Sequence, residues 1–111
     1  MANIGFEALT IGNSAVSLNP VVAIYSKIVC FVGWLETADG SDTIIHVRVR
    51  FDGTAPTANT GELILSGSYV TLDGEEIRKA KFIRSDGSDA LLQGHYYDRP
   101  VNRSVSQWTP R

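Results

Sequence analysis

The chain has 111 residues, of which 43% are hydrophobic and 20% are charged, and its formal net charge is −2. This length suits one domain with a hydrophobic core, and the composition argues against wholesale disorder. A negative net charge argues against a dedicated nucleic-acid-binding protein, because such proteins depend on neutralising phosphates. We therefore expect a single globular domain without a nucleic-acid partner.

The charges are distributed unevenly along the chain. Residues 1–75 contain eight acidic and three basic residues, whereas residues 76–111 contain four acidic and seven basic residues. This asymmetry suits contact between copies, or contact of a basic face with an acidic partner. The alternative is that the two ends neutralise each other within one folded chain.

Two short strands are predicted near the N-terminus, over residues 6–11 and 15–18. The apolar residues 26–36 then predict a central strand that is covered on both faces. They include Cys30, the single cysteine, which has no partner for an intrachain disulfide and suits a reducing cytosol. Because no apolar run reaches the length of a membrane span and no signal peptide is recognisable, we expect no membrane partner.

Residues 43–51, TIIHVRVRF, predict a strand with one buried face, because apolar and polar residues alternate. The side chains predicted to point inward are Ile45, Val47, Val49 and Phe51. Those predicted to point outward are His46, Arg48 and Arg50. The two arginines are interpreted as contacts for another protein, and the alternative is that they are simply solvated.

Further strands are predicted over residues 61–72, broken at Ser66-Gly67, and over residues 76–84 and 90–97. The basic strand 76–84 would lie at a sheet edge or be bulged, and polyanion binding is its alternative role. No segment predicts a helix, because glycine and β-branched residues recur too often. The side chains predicted to be buried are Val29, Phe31, Val47, Val49, Phe51, Leu72, Phe82 and Leu92.

Turn signals separate these strands: Asp-Gly pairs occur at residues 39–40, 52–53, 73–74 and 86–87. About seven short strands with such turns predict an all-β fold. We expect a single antiparallel β-sandwich, jelly-roll-like or a small barrel, over residues 1–97.

Catalytic and metal-binding patterns are not recognisable in the sequence. His46 and His95 are the two histidines, and neither belongs to a cluster with zinc-ligand spacing. The serines accompany Asp-Gly turns and lack a nucleophile motif. Two DGSD tetrapeptides, at 39–42 and 86–89, are interpreted as turns, with a cation site as the alternative. We predict a protein without catalytic residues, cofactor or metal.

The final residues, 98–111, differ from the rest of the chain because they are polar and contain Pro100, Pro110 and an isolated Trp108. Both prolines oppose helix and strand pairing. We predict an extended C-terminal arm whose tryptophan docks in an apolar pocket of an adjacent subunit.

Residues 47–97 carry three motifs in order: VRVRFDGTAPTANTGELIL, GSYVTLDGEEI and AKFIRSDGSDALLQGHYY. This order resembles a pattern of small virion structural proteins of tailed bacteriophages. The resemblance implies a β-sandwich in the phage particle, as a capsid decoration (cement) protein or as a head–tail or tail component. It implies assembly in the host cytoplasm and location in the virion, and it carries no catalytic residue across.

The expected partners are the major capsid protein or other virion proteins, together with further copies of the chain in a dimer or trimer. The residues predicted to form the interface are Arg48, Arg50, Thr54, Pro56, Thr57, Tyr96, Tyr97, Arg99 and Trp108. The alternative function is a receptor- or glycan-binding module on a tail or head fibre. In that case Tyr96, Tyr97 or Trp108 would be the stacking platforms.

Overall fold

The computed structural model describes residues 3–38, 44–85 and 88–99. Within them the chain forms strands and two short helices. In chain order these are β1 (Asn3–Ile11), α1 (Val22–Tyr25), β2 (Cys30–Thr37), β3 (His46–Arg50), β4 (Glu62–Leu65), β5 (Tyr69–Asp73), α2 (Glu75–Lys79), β6 (Lys81–Arg84) and β7 (Ala90–Tyr97). The first DGSD tetrapeptide, the start of the second and the arm beyond Arg99 lie outside the described residues.

The strands form two antiparallel sheets, which confirms the prediction of a mainly β protein. One sheet has four strands in the order β1-β7-β2-β5, and the other has three in the order β4-β3-β6. The first and last strands of the described residues, β1 and β7, are neighbours along almost their whole length. The four-stranded sheet is therefore completed only when both ends of the described chain are in place.

Several predicted strands are confirmed closely. β7 spans residues 90–97 as expected, and its residues alternate between buried and half-buried. β3 buries Val47 and Val49 and leaves its arginines half-buried on the other face. The predicted break at Ser66-Gly67 separates β4 from β5, and Gly67 has a φ of 89°, which favours glycine.

The prediction that the chain has no helix is wrong. Helix α2 begins after Gly74, whose φ of 51° ends the preceding strand. The Glu76 carboxylate accepts a hydrogen bond from the Asp73 backbone N–H at 3.0 Å, which helps to hold the first turn. Its one buried side chain, Ile77, is 3% exposed. The strand predicted over residues 76–84 therefore begins only at Lys81.

Residues 15–18 were predicted as a strand, but they make only a single bridge to β6. Val16 and Phe82 exchange two backbone hydrogen bonds, of 2.9 and 2.8 Å, and the Gly12 carbonyl accepts one from the Arg84 N–H. The segment from Gly12 to Val16 thus covers the edge of β6 that does not pair with β3.

One hydrophobic cluster joins side chains from both sheets. Of the predicted core, the fully buried residues are Phe31, Val47, Val49, Leu72, Phe82 and Leu92. Phe51 is only half-buried, because it lies just beyond the end of β3. Val29 is 37% exposed, contrary to the prediction, and it lies just before the start of β2.

The centre of the four-stranded sheet depends on two glycines. Gly33 of β2 and Gly94 of β7 are register partners. A Cβ on Gly94 would lie 2.3 Å from the Val32 carbonyl oxygen, and a Cβ on Gly33 would lie 2.8 Å from the Phe31 ring. The ring of Phe31 instead packs over this hollow against Tyr96, with the ring centroids 5.0 Å apart. The two glycines therefore admit the largest rings of the core.

We predict that Gly94→Ala destabilises the protein by about 3 kcal/mol or more, because the added methyl group meets backbone atoms that cannot move independently. Gly12→Ala is the matched control, since the nearest atom to its Cβ would be 3.5 Å away. It should change the free energy of unfolding by less than about 1 kcal/mol. Urea denaturation measures both, and equal effects would contradict the close approach at Gly94.

Candidate interaction surfaces

The four-stranded sheet has one side turned away from the core, and we call this side the aromatic face. Burial alternates along the strands, and the register brings the outward residues of neighbouring strands together. The aromatic face consists of Phe6, Ala8, Thr10, Val32, Trp34, Glu36, Tyr69, Thr71, Leu91, Gln93, His95 and Tyr97. Glu36 is the one carboxylate among these residues, and Asp73 at the end of β5 lies on the same side, opposite Cys30. With two carboxylates and no lysine or arginine among these residues, the face is apolar and weakly acidic.

Rings line up along one part of this face. The Phe6 and His95 ring centroids are 5.1 Å apart, and those of His95 and Tyr97 are 6.4 Å apart. In both pairs the two ring planes are tilted relative to each other. Asn3 Nδ2 and His95 Nδ1 lie 2.8 Å apart, which orients the imidazole. Phe6 is 53% exposed. Such tilted pairs are favourable, and they leave ring surface available to a partner.

A cleft of ≈480 Å³ opens at the other end of the aromatic face. It is lined by Trp34, Leu35, Glu36, Gly67 and Tyr69. Trp34 and Tyr69 are register partners on neighbouring strands, so their rings form adjacent parts of the wall. Glu36 accepts a hydrogen bond from Gln93 Nε2, which holds the carboxylate beside the cleft. The volume lies in the range of small-ligand sites.

The two tyrosines predicted at the interface have different environments. Tyr97 lies half-buried on the aromatic face. Tyr96 is 1% exposed, and its hydroxyl donates a hydrogen bond to the carboxylate of Glu7, which also accepts the Asn19 N–H at 2.9 Å. Burial, followed by this hydrogen bond, raises the pKa of Tyr96 well above its ordinary value of 10.0. The prediction of Tyr96 as a surface stacking platform is wrong, because alternation along β7 turns its ring into the core.

The outward side of the three-stranded sheet is different, and we call it the basic face. It consists of His46, Arg48, Arg50, Leu63, Leu65, Lys81 and Ile83. The register places Arg48 between Leu63 and Ile83, and Arg50 beside Lys81. The prediction that both arginines point away from the core is confirmed. Arg48 lies between two apolar side chains, so the face combines positive charge with hydrophobic area.

Arg48 is more than a solvated side chain. It is half-buried, and its Nη1 donates a hydrogen bond of 3.0 Å to the Gly61 carbonyl at the end of the following loop. Its Nε is buried without a hydrogen-bond partner among the described residues. Arg48 therefore holds the loop against β3 and keeps one donor unused.

Arg50 is held by its own loop. Its Nε donates to Asp52 Oδ1 at 3.2 Å, and the Thr54 backbone N–H donates to the same oxygen at 3.0 Å. The Arg50 hydrogen bond and then that of Thr54 hold the pKa of Asp52 below its ordinary value, and the pairing raises the pKa of Arg50. The Arg50 side chain is 37% exposed and that of Asp52 is 55% exposed, so this pair orients the guanidinium without neutralising a buried charge.

The loop after Asp52 is folded rather than extended. Thr57 and Thr60 exchange backbone hydrogen bonds of 3.1 and 3.3 Å, and their hydroxyls lie 2.8 Å apart. The Ser85 hydroxyl ties this turn to the end of β6 through the Ala58 carbonyl. Thr54 and Thr57 are exposed, as an interface requires, but Pro56 is buried against Gly61. The prediction of Pro56 as an interface residue is therefore wrong.

The predicted interface residues do not form one site. Arg48, Arg50 and the exposed loop threonines lie together at the three-stranded sheet, whereas Tyr97 lies in the other sheet. Arg99, which follows β7, bonds the neighbouring Asp98 carboxylate at 3.4 Å. Trp108 lies outside the described residues.

Apart from Tyr97, the members of the aromatic face are not among the residues predicted to form the interface. Phe6, Trp34, Tyr69 and His95 come from four separate strands, and only the register brings them together. The available signal was alternation within each strand, which puts Trp34 on the face opposite Phe31.

Among the described residues, no group of three or more histidine, cysteine, aspartate or glutamate side chains is arranged to hold a metal ion. In the same part of the chain, no helix has the length and apolar character needed to cross a membrane.

Comparison of the chain with family models, with curated proteins and with solved structures found no match.

We predict that Tyr96→Phe lowers the free energy of unfolding by about 1–2 kcal/mol at neutral pH, because the half-buried Glu7 carboxylate loses a donor. The raised pKa means that the folded state favours the protonated phenol. Its contribution is therefore complete below pH 10 and is lost as the pH rises further. Urea denaturation between about pH 9 and pH 11, about one unit either side of the ordinary tyrosine pKa, should show a steeper loss for the wild type than for Tyr96→Phe. Parallel pH profiles would contradict the assignment.

Proposed function

We propose that the protein is a non-enzymatic structural protein of a tailed-bacteriophage virion, most specifically a capsid decoration protein that stabilises the head lattice. We also propose that its two sheets form a β-sandwich over residues 1–97, followed by a C-terminal arm over residues 98–111. The resemblance of residues 47–97 to small phage virion proteins supports this assignment. The rest of the support comes from the side chains on the outward faces of the two sheets.

One observation carries the proposal: both outward sheet faces combine exposed apolar side chains with distinct polar chemistry. The aromatic face exposes Phe6 and Tyr69, by 53% and 37%. The basic face exposes Leu63 by 44% beside Arg48. A protein that bridges neighbouring capsid subunits needs at least two contact surfaces, so that modest contacts add through avidity. Two chemically different faces that point away from one core meet that need.

The proposed partners follow from these two faces. The basic face suits an acidic patch of the major capsid protein or another virion protein, since guanidinium groups form paired hydrogen bonds with carboxylates. The aromatic face suits an apolar partner surface, including another copy in a dimer or trimer. The protein would be assembled in the host cytoplasm and located in the virion, where Trp108 of the arm would dock in an adjacent subunit.

The test uses phage particles that lack the protein, to which purified protein is added back. We expect the wild type to bind the particles and to raise the temperature at which they release DNA. Tyr69→Ser should weaken binding at least tenfold, because it removes an exposed ring from the aromatic face. Tyr25→Ser is the matched control: Tyr25 is 43% exposed but lies in α1, outside both faces. Particles whose heat resistance does not change on addition of the wild type would refute the proposal.

The cleft beside Trp34 favours a second candidate, a receptor- or glycan-binding module on a tail or head fibre. An indole and a phenol on one wall with a carboxylate beside them are groups that sugars bind by stacking and hydrogen bonding. In this case the purified protein should bind host-surface glycans and Trp34→Ala should abolish binding, with Tyr25→Ser unaffected. Particles without the protein would then lose host adsorption and keep their heat resistance.

A further inference from the structure

The first strand, β1, has a free edge whose direction follows from the hydrogen bonds of its neighbours. The Ala38 N–H donates to the Asp89 carbonyl at 3.2 Å, in register with the β2–β7 pairing. Because hydrogen-bonding direction alternates along an antiparallel strand, the odd-numbered residues of β7 bond β2 and the even-numbered ones bond β1. The partners of those even-numbered residues are Gly5, Glu7, Leu9 and Ile11.

The backbone groups of Phe6, Ala8 and Thr10 therefore point away from the sheet. The Gly12 carbonyl, next on the same side, bonds the Arg84 N–H, which agrees with this direction. Within the described chain, residues 4–10 make no backbone-to-backbone hydrogen bond beyond those to β7. Among residues 3–38, 44–85 and 88–99, the bridge at Val16 covers the edge of β6, and no residue covers the edge of β1.

β1 also lacks the devices that protect edge strands from pairing. Its residues include no lysine, arginine or proline. Its one charged side chain, Glu7, is turned to the core side, where it accepts hydrogen bonds from Tyr96 and Asn19. The outward side chains at Phe6, Ala8 and Thr10 are exposed and uncharged. A strand can therefore approach this edge without meeting a charge.

We infer that β1 pairs antiparallel with β1 of a second copy across a two-fold axis at Ala8, which joins the two four-stranded sheets into one. The register follows from a bulge between Asn3 and Gly5, which leaves residues 5–11 as the regular part of the strand. Its central residue is Ala8. Phe6 then lies opposite the partner's Thr10, and Ala8 lies opposite the partner's Ala8.

A second copy suits this edge better than an arbitrary strand because the pairing is self-complementary. With the axis at Ala8, Glu7 lies opposite the partner's Leu9, so the two carboxylates do not face each other. The exposed Phe6 is covered by the partner's Thr10 on both sides of the axis. Such an isologous contact uses the same strand twice and closes after two copies. The inference goes beyond the proposed function, because it concerns the purified chain in either role.

Disulfide trapping tests the register. Opposite residues in a hydrogen-bonded antiparallel pair have Cα atoms about 5.5 Å apart, which lies within the span of a disulfide. Ala8→Cys should therefore form a covalent dimer on mild oxidation. Thr10→Cys is the matched control on the same strand face: its symmetry mate would be about 13 Å away along the strand, and it should stay monomeric. Both variants retain the buried Cys30, so that thiol does not distinguish them.

Sedimentation equilibrium tests the association itself. We expect a concentration-dependent monomer–dimer equilibrium for the wild type and a dissociation constant raised at least tenfold by Ala8→Lys, which places two lysines opposite each other. Val22→Lys, at a residue of α1 that is 91% exposed, should not change it. The circular dichroism spectrum of each variant checks that it folds.

A wild type that stays monomeric at high concentration would overturn the inference, as would a dimer that Ala8→Lys leaves intact. Equal trapping through Ala8→Cys and Thr10→Cys would also overturn it, because that pattern excludes the proposed axis.

Discussion

The close approach of β2 and β7 at Gly33 and Gly94 is the constraint on which the rest of the structure depends. Side chains of any size at these positions would separate the strands or displace the Phe31 ring. With hydrogen atoms there, Phe31 and Tyr96 pack across the hollow, and the Tyr96 hydroxyl reaches Glu7 on β1. The lack of side chains at Gly33 and Gly94 thereby allows the contacts that link β2 and β7 to the core and to β1.

Local sequence patterns predict the strands well but not their arrangement. β7 and the buried face of β3 could be predicted because alternation is a property of consecutive residues. Helix α2 could not, since five residues do not form a stable helix by propensity alone and this one depends on burial of Ile77. The neighbours of β1 and β7 could not be predicted either, because their pairing joins residues at opposite ends of the chain.

The same distinction applies to the candidate surfaces. The outward direction of Arg48 and Arg50 follows from alternation within one strand, so it could be predicted. The burial of Pro56 depends on how the loop folds back on Gly61, and that of Tyr96 depends on the phase of alternation relative to the core. An aromatic face assembled from four strands requires the register, which no single segment contains. Surfaces of this kind can be recognised only when the pairing and the register of the strands are known.

The short connection from Gly12 to Val16 has a mechanical consequence. It continues the edge of β1 and at the same time closes the edge of β6, so one piece of backbone belongs to both sheets. If β1 opens locally, the amides of Phe82 and Arg84 lose their acceptors although they lie in the other sheet. Amide hydrogen exchange at β6 would then report on β1, and a load applied to the first strand would be shared by both sheets.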